Sequence, residues 1–157
     1  MSTAIDTAST EPALPDWAQW ALGHPGRSHR VPIEDVELHA LCWGDEAADA
    51  GRKPPVLLVH GHRAHAHWWD FIAPFLAQTH RVYALDLSGM GDSGRRTVYP
   101  KEVGAVDIIG FVQAMQLRGL TVIGHSNGGL RALAAAGRAP DWFDHLVAID
   151  SYPLFDD

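Results

Sequence analysis

From residue 55 onward the sequence alternates two kinds of segment. PVLLVHG, RVYALDLS, LTVIGHS and HLVAIDS are short, nearly continuous apolar runs, and between them stand the helical patterns WWDFIAPFLAQ, KEVGAVDIIGFVQAM and NGGLRALAAAGRA. Parallel strands need crossover connections, and helical crossovers cover both faces of the sheet, so this order calls for an α/β fold: a mostly parallel sheet with helices on both faces. Upstream, SHRVPI and VELHALCWG read as strands of an edge hairpin, the second with Val36, Leu38, Ala40 and Cys42 alternating with mostly polar neighbours.

The 157 residues, 46% hydrophobic and 20% charged, suit one globular domain. Residues 1–27 are expected to form a disordered lead-in and a short helix capped by Asp16, with Trp17, Trp20 and Ala21 on its packed side; residues 28–157 form the core. A net charge of -7 without a run of basic residues argues against nucleic acid as partner. The single cysteine, Cys42, excludes an internal disulfide and any CxxC pair. With no leader-like start and no long uncharged apolar span, the chain is expected in the cytoplasm, without a membrane partner, acting on a small-molecule substrate.

In parallel sheets, chemistry collects beyond the carboxyl ends of the strands. There, GHSNGG satisfies G-x-S-x-G, with Ser126 between a strand and the helix that Asn127 opens. A turn this sharp strains the serine backbone and lifts the hydroxyl above the sheet, and the Asn127 amide at the helix N-terminus is placed to receive an oxyanion. The competing reading is a serine that merely caps the helix. DLSGMGDSG carries Gly89, Gly91 and Gly94 in the G-x-G-x-x-G spacing, but RRTVYP follows where a dinucleotide fingerprint would open a helix, so a glycine loop at a pocket rim is expected instead. HGHRAH nearly spells the H-x-H-x-D-H of metallo-β-lactamase-like zinc hydrolases. However, Ala64 stands where the aspartate should be, so no metal is expected at His60, His62 and His65. No cofactor is called for. The alternative for His60-Gly61 is a tight strand-end turn that brings the His62 amide beside the serine turn.

Taken together, HG after one strand, DLSGMGDSG after the next and GHSNGG after the third resemble the α/β-hydrolase fold family, from about residue 28 to the end. The resemblance implies Ser126 as catalytic nucleophile, the amides of His62 and Asn127 as oxyanion hole, and Asp92 as a loop-ordering residue. It also implies His65 and His67 as loop or pocket-wall residues. A serine at the elbow favours acyl transfer to water, with carboxylic esters the first expectation. Arg63, Trp68 and Trp69 stand near enough in sequence to line a pocket, though packing is the simpler expectation for them.

In that family an acid and then a histidine follow the serine, after a cap and further strands. This sequence ends at SYPLFDD, so the cap and last strands are expected to be lacking. Asp150 sits where some members keep their acid. His145, the one histidine after Ser126, precedes its strand, on the order of 16 Å from the serine at about 3.3 Å per residue. The chain alone is therefore expected to be at most feebly hydrolytic, and a non-catalytic remnant or fragment is the alternative. An open sheet edge would invite self-association.

Overall fold

The computed structural model describes residues 13–44 and 50–151. A short helix α1 (Asp16–Leu22) leads into the hairpin β1 (Arg27–Ile33) and β2 (Val36–Trp43). There follow β3 (Pro55–Val59), a 3-10 turn at Ala66–Trp69, α2 (Ala73–Leu76), β4 (Arg81–Leu85), α3 (Val103–Ala114), β5 (Leu120–His125), α4 (Asn127–Arg138) and β6 (Phe143–Ile149). The six strands form one sheet in the order β1-β2-β4-β3-β5-β6. β3, β4, β5 and β6 run parallel, while β2 is antiparallel to both β1 and β4. The mostly parallel sheet expected from the strand–helix alternation is therefore present.

Each face has its own apolar layer. On one, α3 and α4 set Ile108, Phe111, Val112, Ala132 and Ala135 against Leu38, Leu57, Val59, Leu85 and Val122. On the other, Ala66, Trp69 and Ala73 cover Leu41, Trp43, Val56, Leu58, Val82 and Ala84. This two-sided burial corrects the reading of β2 as half-exposed. Only β1 is the edge of the hairpin; β2 lies inside the sheet, and His39, Leu41 and Trp43 are buried along with the alternating apolar set.

Two helix readings also change. WWDFIAPFLAQ is not one helix: Ile72 has φ -117°, and Pro74 sits in the first turn of a four-residue α2, because proline cannot supply the amide a continuous helix would need there. In α1 the buried residues are Ala18 and Ala21, and the residue at the cap is Pro15, not Asp16. Trp17 and Trp20 lie at the surface, where they contact Phe71 (ring centroids 6.2 Å apart) and Phe75 (4.7 Å). The expected disorder of the lead-in falls largely on residues 1–12, outside the described residues.

At the far side β6 has β5 as its single strand neighbour among the described residues, and Val147 and Ile149 are 44% and 43% exposed. The strand order sets β3 between β4 and β5, so the loops after these three strands meet at one end of the sheet.

Candidate functional site

Ser126 stands between β5 and α4 with φ 53° and ψ -124°, a conformation that side-chain-bearing residues rarely adopt. Three backbone ties hold it there. Its amide donates to Ile149 O (2.8 Å), its carbonyl accepts from the Gly129 amide (3.0 Å), and the Ser151 hydroxyl donates to the same carbonyl (2.9 Å). The turn can be this tight because two residues lack side chains. A Cβ on Gly124 would fall 2.5 Å from Gly129 Cα, and one on Gly128 would fall 2.5 Å from Val59 O and still closer to His60 O. Although Ser126 occupies the cap position of α4, its side chain makes no capping bond, which answers the reading of this serine as a mere helix cap.

The loop after β3 lies against this turn. A Cβ on Gly61 would meet Ser126 Cβ at 3.4 Å and His125 Nδ1 at 3.0 Å, so His62 belongs to the same end of the sheet as Ser126 and Asn127. His60 fixes the loop from below. Its Nδ1–H donates to Gly61 O (2.8 Å), and its Nε2 accepts the Leu87 amide (3.3 Å), which ties the ends of β3 and β4 together. Burial pushes its pKa below the ordinary histidine value, the Gly61 bond countering only in part. Both ring nitrogens are thus occupied. Among the described residues no group of three His, Cys, Asp or Glu side chains is placed to hold a metal.

His62, Arg63, His65, His67 and Trp68 line an open cleft together with Phe71 and Ile72. Trp68 is 57% exposed and stacks on His125 at 5.7 Å, whereas Trp69 is buried in the core, so the adjacent tryptophans divide between cleft wall and packing. Asp150, with φ 48°, follows Ile149 and therefore lies at the Ser126 end of the sheet, exposed. His145 pairs with Thr121, at the other end of β5. No histidine among the described residues hydrogen-bonds to the Ser126 hydroxyl.

The glycine loop after β4 does not open a helix, since α3 begins only at Val103. The carboxylate that orders it is Asp86, not that of Asp92. Buried Asp86 accepts from the Ala66 amide at Oδ1 (2.6 Å) and from the Asp92 amide at Oδ2 (3.0 Å), with His39 Nδ1 at 2.7 Å from Oδ2. Asp92 takes part through its backbone, its carbonyl also accepting from Arg30 (3.1 Å). Because both Asp86 oxygens accept, His39 Nδ1 is the donor, and Nε2, 2.9 Å from Ser28 Oγ, is the acceptor. Ser28, His39 and Asp86 thus follow the bond order of a serine–histidine–acid relay. Yet Ser28 sits within a regular strand, with no turn to lift its hydroxyl and no helix opening behind it. The array ties β1, β2 and the loop after β4 together.

A family model of the alpha/beta hydrolase fold matches residues 54–157. A serine hydrolase-like protein of Danio rerio is 30% identical over 126 residues, covering 78% of this chain and 37% of its own length. Esterase Rv0045c of Mycobacterium tuberculosis is 31% identical over 130 residues, covering 78% of this chain and 41% of its own. A deformylase of Pseudomonas putida and an epoxide hydrolase of Corynebacterium match at 32% and 33% identity. Among solved structures, a bacterial membrane phospholipase A superposes with a TM-score of 0.75 at 32% identity, over 85% of this chain and 42% of that one. The chain spans less than half the length of the Danio rerio protein, the mycobacterial esterase and the phospholipase.

Proposed function

Because the chain belongs to the alpha/beta hydrolase fold family, we propose that it carries the nucleophile half of a serine hydrolase acting on carboxylic esters through an acyl-enzyme at Ser126. The observation that carries this reading is the strained backbone of Ser126, φ 53° and ψ -124°, paired with a hydroxyl that makes no capping bond. Strain of this kind costs about 1–3 kcal/mol, and a serine needed only as a helix cap would give no reason to retain it. In this reading Ser126 Oγ attacks the ester carbonyl, and the developing oxyanion is received by the amides of Asn127 and His62, the first at the N-terminus of α4 and the second on the loop pressed against the turn. The alcohol leaves, and water then releases the acyl group.

Relatives divide between reaction types, and the residue at the elbow bears on which applies here. The esterase and the serine hydrolase-like protein favour the serine reading. Epoxide opening in this family proceeds from an aspartate at the elbow, where this chain has Ser126. Proton removal from Ser126 requires a base within about 3 Å, and His145 is excluded by its pairing with Thr121. The chain by itself should therefore acylate slowly. Prolonged incubation of residues 1–157 with excess fluorophosphonate, followed by mass mapping, is expected to place a slowly formed adduct on Ser126 and to give none in Ser126→Ala, with turnover of a short-chain activated ester close to background. A folded chain in which Ser126 stays unmodified while another serine reacts would refute the proposal.

A further inference from the structure

On the α3/α4 side of the Ser126 turn, a second cleft is lined by Ser88, Tyr99, Lys101 and Arg131, with Arg95 at its rim. Three cations converge there. Among the described residues none of Arg95, Lys101 and Arg131 has a carboxylate within ion-pair distance. The nearby acids are already engaged. Asp107 binds Arg96 (2.9 Å) and the Ser88 amide and hydroxyl (2.9 and 2.6 Å), while Glu102 turns to Arg138 (4.0 Å).

Arg131 is the central group. It lies one turn into α4, and its side chain runs back toward the helix N-terminus, where Nε donates to Asn127 Oδ1. A Cβ on Gly104 would lie 2.5 Å from its Cδ and Nη1, so the arginine side chain lies directly against the first turn of α3. Burial pushes its pKa below the ordinary arginine value, with Asp107 countering, but a guanidinium remains cationic at neutral pH. Asp107 lies near enough to act on Arg131 by charge but spends its hydrogen bonds on Arg96 and Ser88, so among the described residues the half-buried guanidinium bonds only a neutral amide, and a second anion would complete it.

We propose that this cleft is a subsite for a carboxylate carried by the substrate, with Arg131 and Lys101 as its principal ligands and Arg95 at its mouth. The proposal rests on the reading of Ser126 as nucleophile and names the substrate class for it, esters whose acyl part ends in a carboxylate. Since Arg131 bonds the side chain of the residue next to Ser126, its guanidinium lies no more than about 13 Å from the serine hydroxyl, the sum of 3.8 Å between consecutive Cα atoms, the reach of the side chains and one hydrogen bond. An acyl chain of about five bonds, with contact distances at both ends, spans that gap. Apolar acyl chains of equal length leave the cations unpaired and bind less well.

The experiment measures binding rather than turnover, on the 157-residue chain carrying Ser126→Ala so that esters persist. The probes are monomethyl adipate and methyl hexanoate, equal in length and differing in the carboxylate. The half-ester is expected to bind at least about tenfold more tightly at low salt, with an advantage that shrinks as salt rises. Lys101→Gln, at an exposed side chain that folding does not need, and Arg131→Gln are each expected to remove most of that advantage without changing the binding of methyl hexanoate. Equal binding of the two esters, an advantage unchanged in Lys101→Gln and Arg131→Gln, or displacement of the half-ester by inorganic phosphate at no higher concentration than by adipate would overturn the assignment. The last result would mark a general anion site. Failure of the Ser126 reading would register separately, as fluorophosphonate modification of another serine in the folded, unmutated chain while Ser126 stays untouched.

Discussion

Replacing Ser126 by glycine should make the protein more stable than replacing it by alanine. Ordinarily the preference runs the other way, because glycine loses more backbone freedom on folding, by roughly 0.5–1 kcal/mol relative to alanine. Here the backbone sits at φ 53° and ψ -124°, which any Cβ makes costly. A residue held in so sparse a region stores about 1–3 kcal/mol, and glycine releases it while alanine does not. The difference leaves the glycine variant ahead by up to about 2.5 kcal/mol, or up to about 8 °C in Tm for a domain of this size. Because the Ser126 hydroxyl makes no capping bond, Ser126→Ala should itself be nearly neutral. The assay is thermal and urea denaturation of the wild-type chain and both variants, with fluorophosphonate labelling run alongside to confirm that both variants lose the adduct. If the glycine variant proves equal to or less stable than the alanine variant, the strain argument is wrong, and with it the claim that the turn imposes a cost only function explains.

Two further outcomes follow from buried polar groups. His60 is neutral in the fold because burial lowers its pKa, so below about pH 6.5 the unfolded chain takes up a proton that the folded chain refuses. Its contribution to stability is therefore complete above that pH and falls by up to about 1.4 kcal/mol per pH unit below it, and urea midpoints measured from pH 7.5 to 5 should decline less steeply in His60→Gln. Arg96 joins buried Asp107 to Glu34 and Asp35 in the β1–β2 turn, so Arg96→Gln leaves Asp107 with Ser88 as its remaining partner. A loss of about 2–4 kcal/mol in denaturant unfolding is expected, partly restored by adding Asp107→Asn; full stability in the single variant would show the network to be dispensable.

The strands were legible because period and length suffice for them. Four apolar runs bounded by glycine, aspartate and proline became β3, β4, β5 and β6, and the strand–turn–helix around Ser126 was legible because a motif, a strand and a helix pattern coincided at residues 120–138. What could not be read depended on partners distant in the chain. Nothing local distinguishes Asp86 from Asp92 in DLSGMGDSG; the choice is made by His39 and Ala66, 47 and 20 residues away. His39 looked like the solvent-facing step of an alternating strand, and is buried because the sheet is covered on both sides. The clamp from Ser151 to Ser126 was equally hidden, since it depends on β6 lying beside β5. One local signal was available and outweighed: Pro74 within the predicted helix 68–78 marked the break that the apolar pattern concealed.

The same distant contacts locate the control of the proposed nucleophile. Two of the three ties on the Ser126 backbone come from the end of β6, through the Ile149 carbonyl and the Ser151 hydroxyl, and only the third is internal to α4. β6 is also, with β1, one of the two edge strands among the described residues, and its Val147 and Ile149 are exposed. A backbone held in a costly conformation persists only while its surroundings over-determine it. The geometry of the turn is therefore coupled to the order of the sheet's free edge, and not only to the well-covered strands β3 and β5 on which it is built. Loss of order in β6 would remove two of the three ties on Ser126 without touching the Gly129 bond, Gly124, Gly128 or the His60 loop, and would weaken the hold on its strained conformation.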